Sequence, residues 1–250
     1  MNKSWLYWAI ALSIIFSIHS CSPKKKDDHI KTATAFKDLG VAYMKDNMDA
    51  AAFKNLTKAE SLNPNDPHIH FALGNFYFKK ENYKQAIAEY KQCLELKPDF
   101  AVVYNNLGRT YFELGEYDTA IEHFKKLIGN YAYATPYFPL FSMGCSYYHK
   151  GEYQKAIKYF KEALALEPDF KIARLWLGRS YLKEGHSQEA ITVFLKGVRT
   201  EPRYADMHFY LGRAYRMSKD YRKASRAFMK AIEIDPDSEI AAKARKYLIK

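Results

Sequence analysis

One phrase recurs along this chain. It reads LGRTYFELGEYDTAIEHF at 107–124, with close variants LGNFYFKKENYKQAIAEY from 73, MGCSYYHKGEYQKAIKYF from 143, LGRSYLKEGHSQEAITVF from 177 and LGRAYRMSKDYRKASRAF from 211. Gly40, Gly74, Gly108, Gly144, Gly178 and Gly212 are spaced by 34, 34, 36, 34 and 34 residues. Pro64, Pro98, Pro168, Pro202 and Pro236 keep the same step with one beat missing. A fixed period of this size means one supersecondary unit built repeatedly. No single unit can bury its own apolar face, so stacked neighbours must supply a continuous core.

The pattern inside each period is helical. With slot 1 at Ala33, Pro67, Ala101, Tyr137, Lys171 and Ala205, slots 7, 8 and 11 hold Leu or Met, Gly, and Tyr in every repeat. At 3.6 residues per turn these slots share one face of a first helix. Slots 20, 24 and 27 share one face of a second helix, as in Ala86, Tyr90, Cys93 and in Ala156, Phe160, Ala163. A glycine inside a helix costs about 1 kcal/mol against alanine, so slot 8 predicts a close helix–helix approach. Gly115, Gly151 and Gly185 are expected to close first helices in the left-handed conformation. The acid or amide after each proline (Asn65, Asp99, Asp169, Asp237) is expected to cap the next first helix.

L-G-x-x-Y, then A-x-x-x-F, then P at a 34-residue step resembles the tetratricopeptide repeat, over residues 33–238. The resemblance implies an all-α fold, a right-handed α-α superhelical solenoid of six helix pairs. The pairs are 33–66, 67–100, 101–136, 137–170, 171–204 and 205–238, with a capping helix over 239–250. Repeat three is irregular. GNYAYATPYFPLF (129–141) carries two extra residues and lacks the closing proline. A change of pitch is expected there, dividing the stack into two halves of three repeats, by a passive insertion or a hinge.

The N-terminus reads differently. WLYWAIALSIIFSI (5–18) has no charge and, at 14 residues, is short of the ~20 needed to span a bilayer, which suits a secretory signal over 1–20. The run ends IHSC, which resembles the cleavage box of bacterial lipoproteins and makes Cys21 the lipidated first residue. Residues 21–32 are charged without apolar periodicity and are expected to form a disordered tether. Together these predict a lipid-anchored protein of the bacterial cell envelope, at the outer membrane, facing the periplasm or the surface.

In tetratricopeptide proteins the first helices line a groove that binds peptides or helices of a partner. The resemblance places slots 2, 5, 9, 12 and 13 there. The expected groove residues are Phe71, Asn75, Phe78, Asn105, Arg109, Phe112, Phe141, Tyr148, Arg179, Phe209, Arg213 and Arg216. Aromatic rows that the fold does not require mark binding surfaces, and arginine beside them suits carboxylates. A two-Lys, two-Asn, one-Arg carboxylate clamp found in some family members is broken here. Asn75 and Asn106 match, but Phe71, Phe138 and Ser142 fill the other three places.

The chain carries a net charge of +11, and nine of its ten arginines lie beyond residue 170. An acidic protein segment is the expected partner; nucleic acid is not, given the export signal. Self-association through the end repeats is a further partner expectation. No cofactor or metal is expected: His68 and His70 point apart on a helix, and Cys93 and Cys145 lack CxxC spacing. GxSxG, HExxH and phosphate-loop motifs are absent and the repeats use the mature chain, so no enzyme is expected. The reading is a non-catalytic scaffold or adaptor. Architecture makes it similar to repeat lipoproteins that assist type IV pilus secretin assembly or that scaffold cell-wall hydrolases. A chaperone-like holder of extended chains is the alternative.

Overall fold

The computed structural model describes residues 23–130 and 133–248. The signal segment and Cys21 lie outside the described residues. Among the described residues there are helices and no strands. They are α1 Pro23–Lys45, α2 Asp49–Leu62, α3 Pro67–Lys79, α4 Tyr83–Leu96, α5 Ala101–Glu113, α6 Tyr117–Lys125, α7 Tyr137–His149, α8 Tyr153–Leu166, α9 Lys171–Lys183, α10 Ser187–Thr200, α11 Ala205–Met217, α12 Tyr221–Ile234 and α13 Glu239–Leu248. The architecture is an all-α helical-repeat solenoid.

The turn inside each helix pair has one construction. The slot 16 amide donates to the carbonyl of the slot 11 tyrosine at 2.9 Å in every repeat, from Met48 to Tyr43 through Asp220 to Tyr215. Slot 15 lies between, and it is left-handed in all six repeats. Glycine takes it at Gly115, Gly151 and Gly185, but Asn47, Glu81 and Lys219 take it elsewhere with φ of 57–64°. The closed ring of hydrogen bonds holds these three side chains in a region that L-residues disfavour.

Slot 8 meets slot 24 in every pair. A Cβ on Gly178 would lie 2.4 Å from the Phe194 ring, and Gly74, Gly108, Gly144 and Gly212 stand in the same way against Tyr90, Phe124, Phe160 and Phe228. These rings are almost wholly buried. The lost helix propensity at each glycine is thus offset by an aromatic ring lying on the backbone.

Three sequence expectations are corrected. First, residues 23–32 are not a disordered tether, because α1 starts at Pro23. Proline suits the first turn, lysine is a good helix former, and no glycine interrupts the run before Gly40. Second, the acids that follow the prolines do not cap. Phe100 and Phe170 occupy the N-cap positions of α5 and α9 without a side-chain bond. Asp99 and Asp169 sit one residue too early to reach the second and third amides. Asp66 caps α3 by accepting from the His68 amide at 2.8 Å, and Ser238 accepts from Ala241 at 3.2 Å.

Third, the chain divides into two compact units at Pro98/Asp99, not at 129–141. The first holds α1–α4 and the second α5–α13. The irregular repeat three lies inside the second unit. α6 stops at Lys125, Leu127 still reaches the core, and Gly129 turns the chain at φ 76°. Pro139 is buried in the first turn of α7, where no helical amide is missed. α6 and α7 pack together, so the core of the second unit runs through the irregular segment. At the end of that unit α13 buries Ala241 and Ala244, and Tyr247 stacks on Phe228 at 4.9 Å.

Candidate peptide-binding face

In the first unit, Phe71, Asn75 and Phe78 stand half-buried on α3 and lean on α4. The Tyr90 hydroxyl donates to Asn75 Oδ1 at 2.8 Å, Phe71 lies 6.3 Å from Tyr90, and Phe78 lies 5.8 Å from Tyr83. These side chains take part in packing the pair.

A buried polar cluster lies beside them. His70 Nδ1 is 2.8 Å from Glu89 Oε2, its Nε2 is 2.7 Å from the Pro64 carbonyl, and Glu60 completes a trio whose ligand-type atoms lie within 4.8 Å of one another. Both ring nitrogens face acceptors, an arrangement that favours the doubly protonated ring. The same slot 4 holds Arg174, which donates to the Pro168 carbonyl and, at 3.2 Å, to Thr200 Oγ1. It also holds His208, 2.9 Å from the Pro202 carbonyl. Slot 4 therefore ties the first helix to the preceding proline turn, and the trio is read as that tie with a counter-charge.

The two histidines titrate in opposite directions. Glu89, then the Pro64 carbonyl, holds His70 above the ordinary imidazole value despite burial, whereas burial holds His208 below it. A raised value stabilises the fold in full below about pH 6.5, and that stabilisation is lost as pH climbs through the folded value. A lowered value does the reverse, with stability lost as pH falls below about 6.5. Amide protection in α3, corrected for intrinsic exchange, should therefore weaken on going from about pH 6 to 8, and that in α11 on going from about pH 7 to 5. His70→Gln and His208→Gln should each flatten its own slope. Slopes of one sign in both helices would contradict the assignment.

In the second unit α5, α7, α9 and α11 pack side by side through neighbouring pairs. Two adjoining pockets open on this first-helix face. One, of about 300 Å³, is lined by Arg109, Phe112, Phe138, Phe141, His149 and Trp176, with Glu113, Phe124, Ser142 and Cys145. The other, of about 240 Å³, is lined by Tyr148, Arg179, Leu182, Lys183, Tyr210 and Arg213. Trp176 joins them. Its ring walls the first pocket and carries the Arg179 guanidinium at 3.9 Å, with Tyr210 and Tyr148 at 5.1 and 5.4 Å from the same group. Partial desolvation, and after it the Arg179 charge, holds His149 below the usual imidazole range.

Six of the expected groove residues meet here: Arg109, Phe112 and Phe141 in the first pocket, and Tyr148, Arg179 and Arg213 in the second. Asn105 is half-buried, and its Oδ1 finds no hydrogen-bond partner. Phe209 is not on the face. It is 4% exposed and packs against Phe228 and Tyr247. Arg216 lies 5.0 Å over the Tyr247 ring and so belongs to the seam with α13. Cys145 and Leu175, in slots expected to line the groove, are buried too. The slot assignment missed Trp176 and Tyr210. Both occupy slot 6, which is small or polar in the other repeats, and that departure was the available signal.

The fold and this face define a helical-repeat scaffold for protein interactions. Models of the tetratricopeptide repeat match residues 101–131, 139–170 and 177–239, and a further repeat model of the same kind matches 74–115. The chain belongs to the tetratricopeptide-repeat family. Comparison with curated proteins finds no sequence match. Among solved structures it is similar to PilW, a widely conserved type IV pilus biogenesis factor, at TM-score 0.74 and 22% identity over 85% of this chain and 98% of that one. It is also similar to pilF of Pseudomonas aeruginosa, at TM-score 0.70 and 19% identity over 89% and 99%. YrrB, a repeat protein with an unusual peptide-binding site, matches at TM-score 0.60 and 26% identity over 76% and 97%.

Proposed function

We propose that this protein is a lipid-anchored scaffold of the bacterial cell envelope that captures a partner segment on the first-helix face of its second unit and so assists assembly of an envelope complex. The observation that carries the reading is the pair of adjoining pockets, one aromatic and one cationic, built from side chains on successive first helices. The likeness to PilW and pilF supports an envelope assembly role of the pilus type. YrrB supports peptide capture by this architecture.

The signal-like run and Cys21 support the anchor. With α1 beginning at Pro23, a lipid on Cys21 would hold the first helical turn within about 7 Å of the anchor, two extended residues away. The first unit would then stand at the membrane surface without the slack that a disordered tether gives. Cys21→Ala should move the protein from the membrane fraction to the soluble envelope fraction. Retention of the variant in washed membranes would overturn the lipid anchor. Partner capture is tested by co-purification from crosslinked cells, with the Arg109→Glu/Arg213→Glu variant beside the wild type. Loss of one partner from the variant is expected, and an unchanged partner set would overturn the assignment of the face.

A further inference from the structure

Three cations and no carboxylate line the smaller pocket: Arg179, Lys183 and Arg213. Arg179 is held in an unusual way. Its guanidinium lies against the Trp176 ring with Tyr148 and Tyr210 close by, and its Nε is buried without a hydrogen-bond partner. A guanidinium packed on an aromatic face keeps its in-plane N–H donors directed away from that ring. That fork fits a planar acceptor in two parallel bonds. A buried donor with no acceptor costs free energy, so the free protein holds this group ready at its own expense. Asp206 feels the Arg179 charge but does not line the pocket.

The larger pocket offers the opposite chemistry. Phe112, Phe138, Phe141 and Trp176 form its walls, and Phe138 remains 40% exposed. Trp176 walls the larger pocket and carries Arg179 of the smaller one at 3.9 Å, so one or two extended residues, at about 3.4 Å each, reach from the ring of one to the cation of the other. Building on the scaffold reading above, we infer that the captured segment is an extended peptide carrying one bulky apolar side chain for the aromatic pocket and, within two residues of it, a carboxylate for the arginine pocket. An apolar residue alone would leave the cations unanswered. An acid alone would leave the aromatic walls wet.

The test uses the full chain, purified in detergent, on an array of amidated 12-residue peptides. Each has one Phe or Leu in a Gly/Ser background, with Glu one, two or six positions away. Glu→Gln, Glu→Lys and Phe→Ala controls accompany them. Retention should peak with Glu one or two positions from the apolar residue and fall about tenfold or more in the Gln and Ala controls, the size of one lost charge-assisted contact. Arg213→Glu should erase most of the preference for Glu over Gln, because Arg213 is exposed and its reversal cuts the positive charge of the pocket without touching the core. Phe138→Ala should weaken every apolar-containing peptide.

Equal retention of Glu and Gln peptides overturns the inference, as does an unaltered preference in Arg213→Glu, or no retention at all. Displacement by anionic phospholipid vesicles of a protein that holds no peptide would assign the cations to a membrane instead, and overturns it too. A crosslinker at Phe138 in cells separates this failure from failure of the scaffold reading. Capture there without acid preference on the array sinks only the bipartite chemistry, and no capture there sinks both.

Discussion

Phe194→Ala should destabilise the second unit by about 3–5 kcal/mol, the range for removing a fully buried aromatic ring. Phe194 is 0% exposed, and its ring lies where a Cβ on Gly178 would be. The sharper expectation concerns the pair. In the wild-type background Gly178→Ala gains helix propensity of about 1 kcal/mol. It also forces a methyl to within 2.4 Å of the ring, so the net effect is a loss of about 1–3 kcal/mol. In the Phe194→Ala background the methyl enters the space the ring left, and the same substitution should become neutral or stabilising. A double-mutant cycle by chemical denaturation reads this change of sign. Additive effects would mean that slots 8 and 24 do not contact in solution.

The second large effect falls on binding and leaves the fold alone. Arg109→Glu/Arg213→Glu should reduce partner capture by about one order of magnitude or more, since the Arg213 reversal removes a charge-assisted contact of about 1.5–3 kcal/mol and the Arg109 reversal sets a second negative charge beside it. Both side chains are exposed, so melting should shift by no more than about 0.5 kcal/mol in equivalent stability. Arg179 is left out of this variant. Its burial between Trp176, Tyr210 and Tyr148 means that a glutamate there would test packing and binding together. Capture that survives the double reversal would move the partner off this face.

The period made the helix pairs legible because each internal repeat has the same neighbours. The groove slots are less regular: Cys145 and Leu175 are buried in internal repeats, and the last repeat has a different neighbour. Phe209 and Arg216 hold slots that line a groove in an internal repeat, yet in the last repeat they meet α13, whose Tyr247 is foreign to the pattern. Asn75 has a packing role that the pattern does not show. Tyr90 is the one tyrosine at slot 24, and its hydroxyl needs an acceptor, which Asn75 supplies. Residues 23–32 were misread because a run of charges looks solvated, while its lysines also favour a helix once Gly and Pro are absent from its interior. The division at Pro98/Asp99 left no mark in the spacing, because the glycine and proline steps pass through it unchanged. The arginine pocket was half legible. Arg179 and Arg213 followed from slot 9, but the rings that orient them needed Trp176 and Tyr210 from slot 6.

The most direct measurement is site-specific photocrosslinking in intact cells. One probe replaces Phe138, on the wall of the aromatic pocket. A second replaces Met229, which is 57% exposed on the second helix of the last repeat. The account predicts one discrete partner adduct from position 138, absent when Arg109→Glu/Arg213→Glu is present in the same chain, and none from position 229. A partner adduct from position 229 with none from 138 would contradict it, and would place the working surface on the second helices.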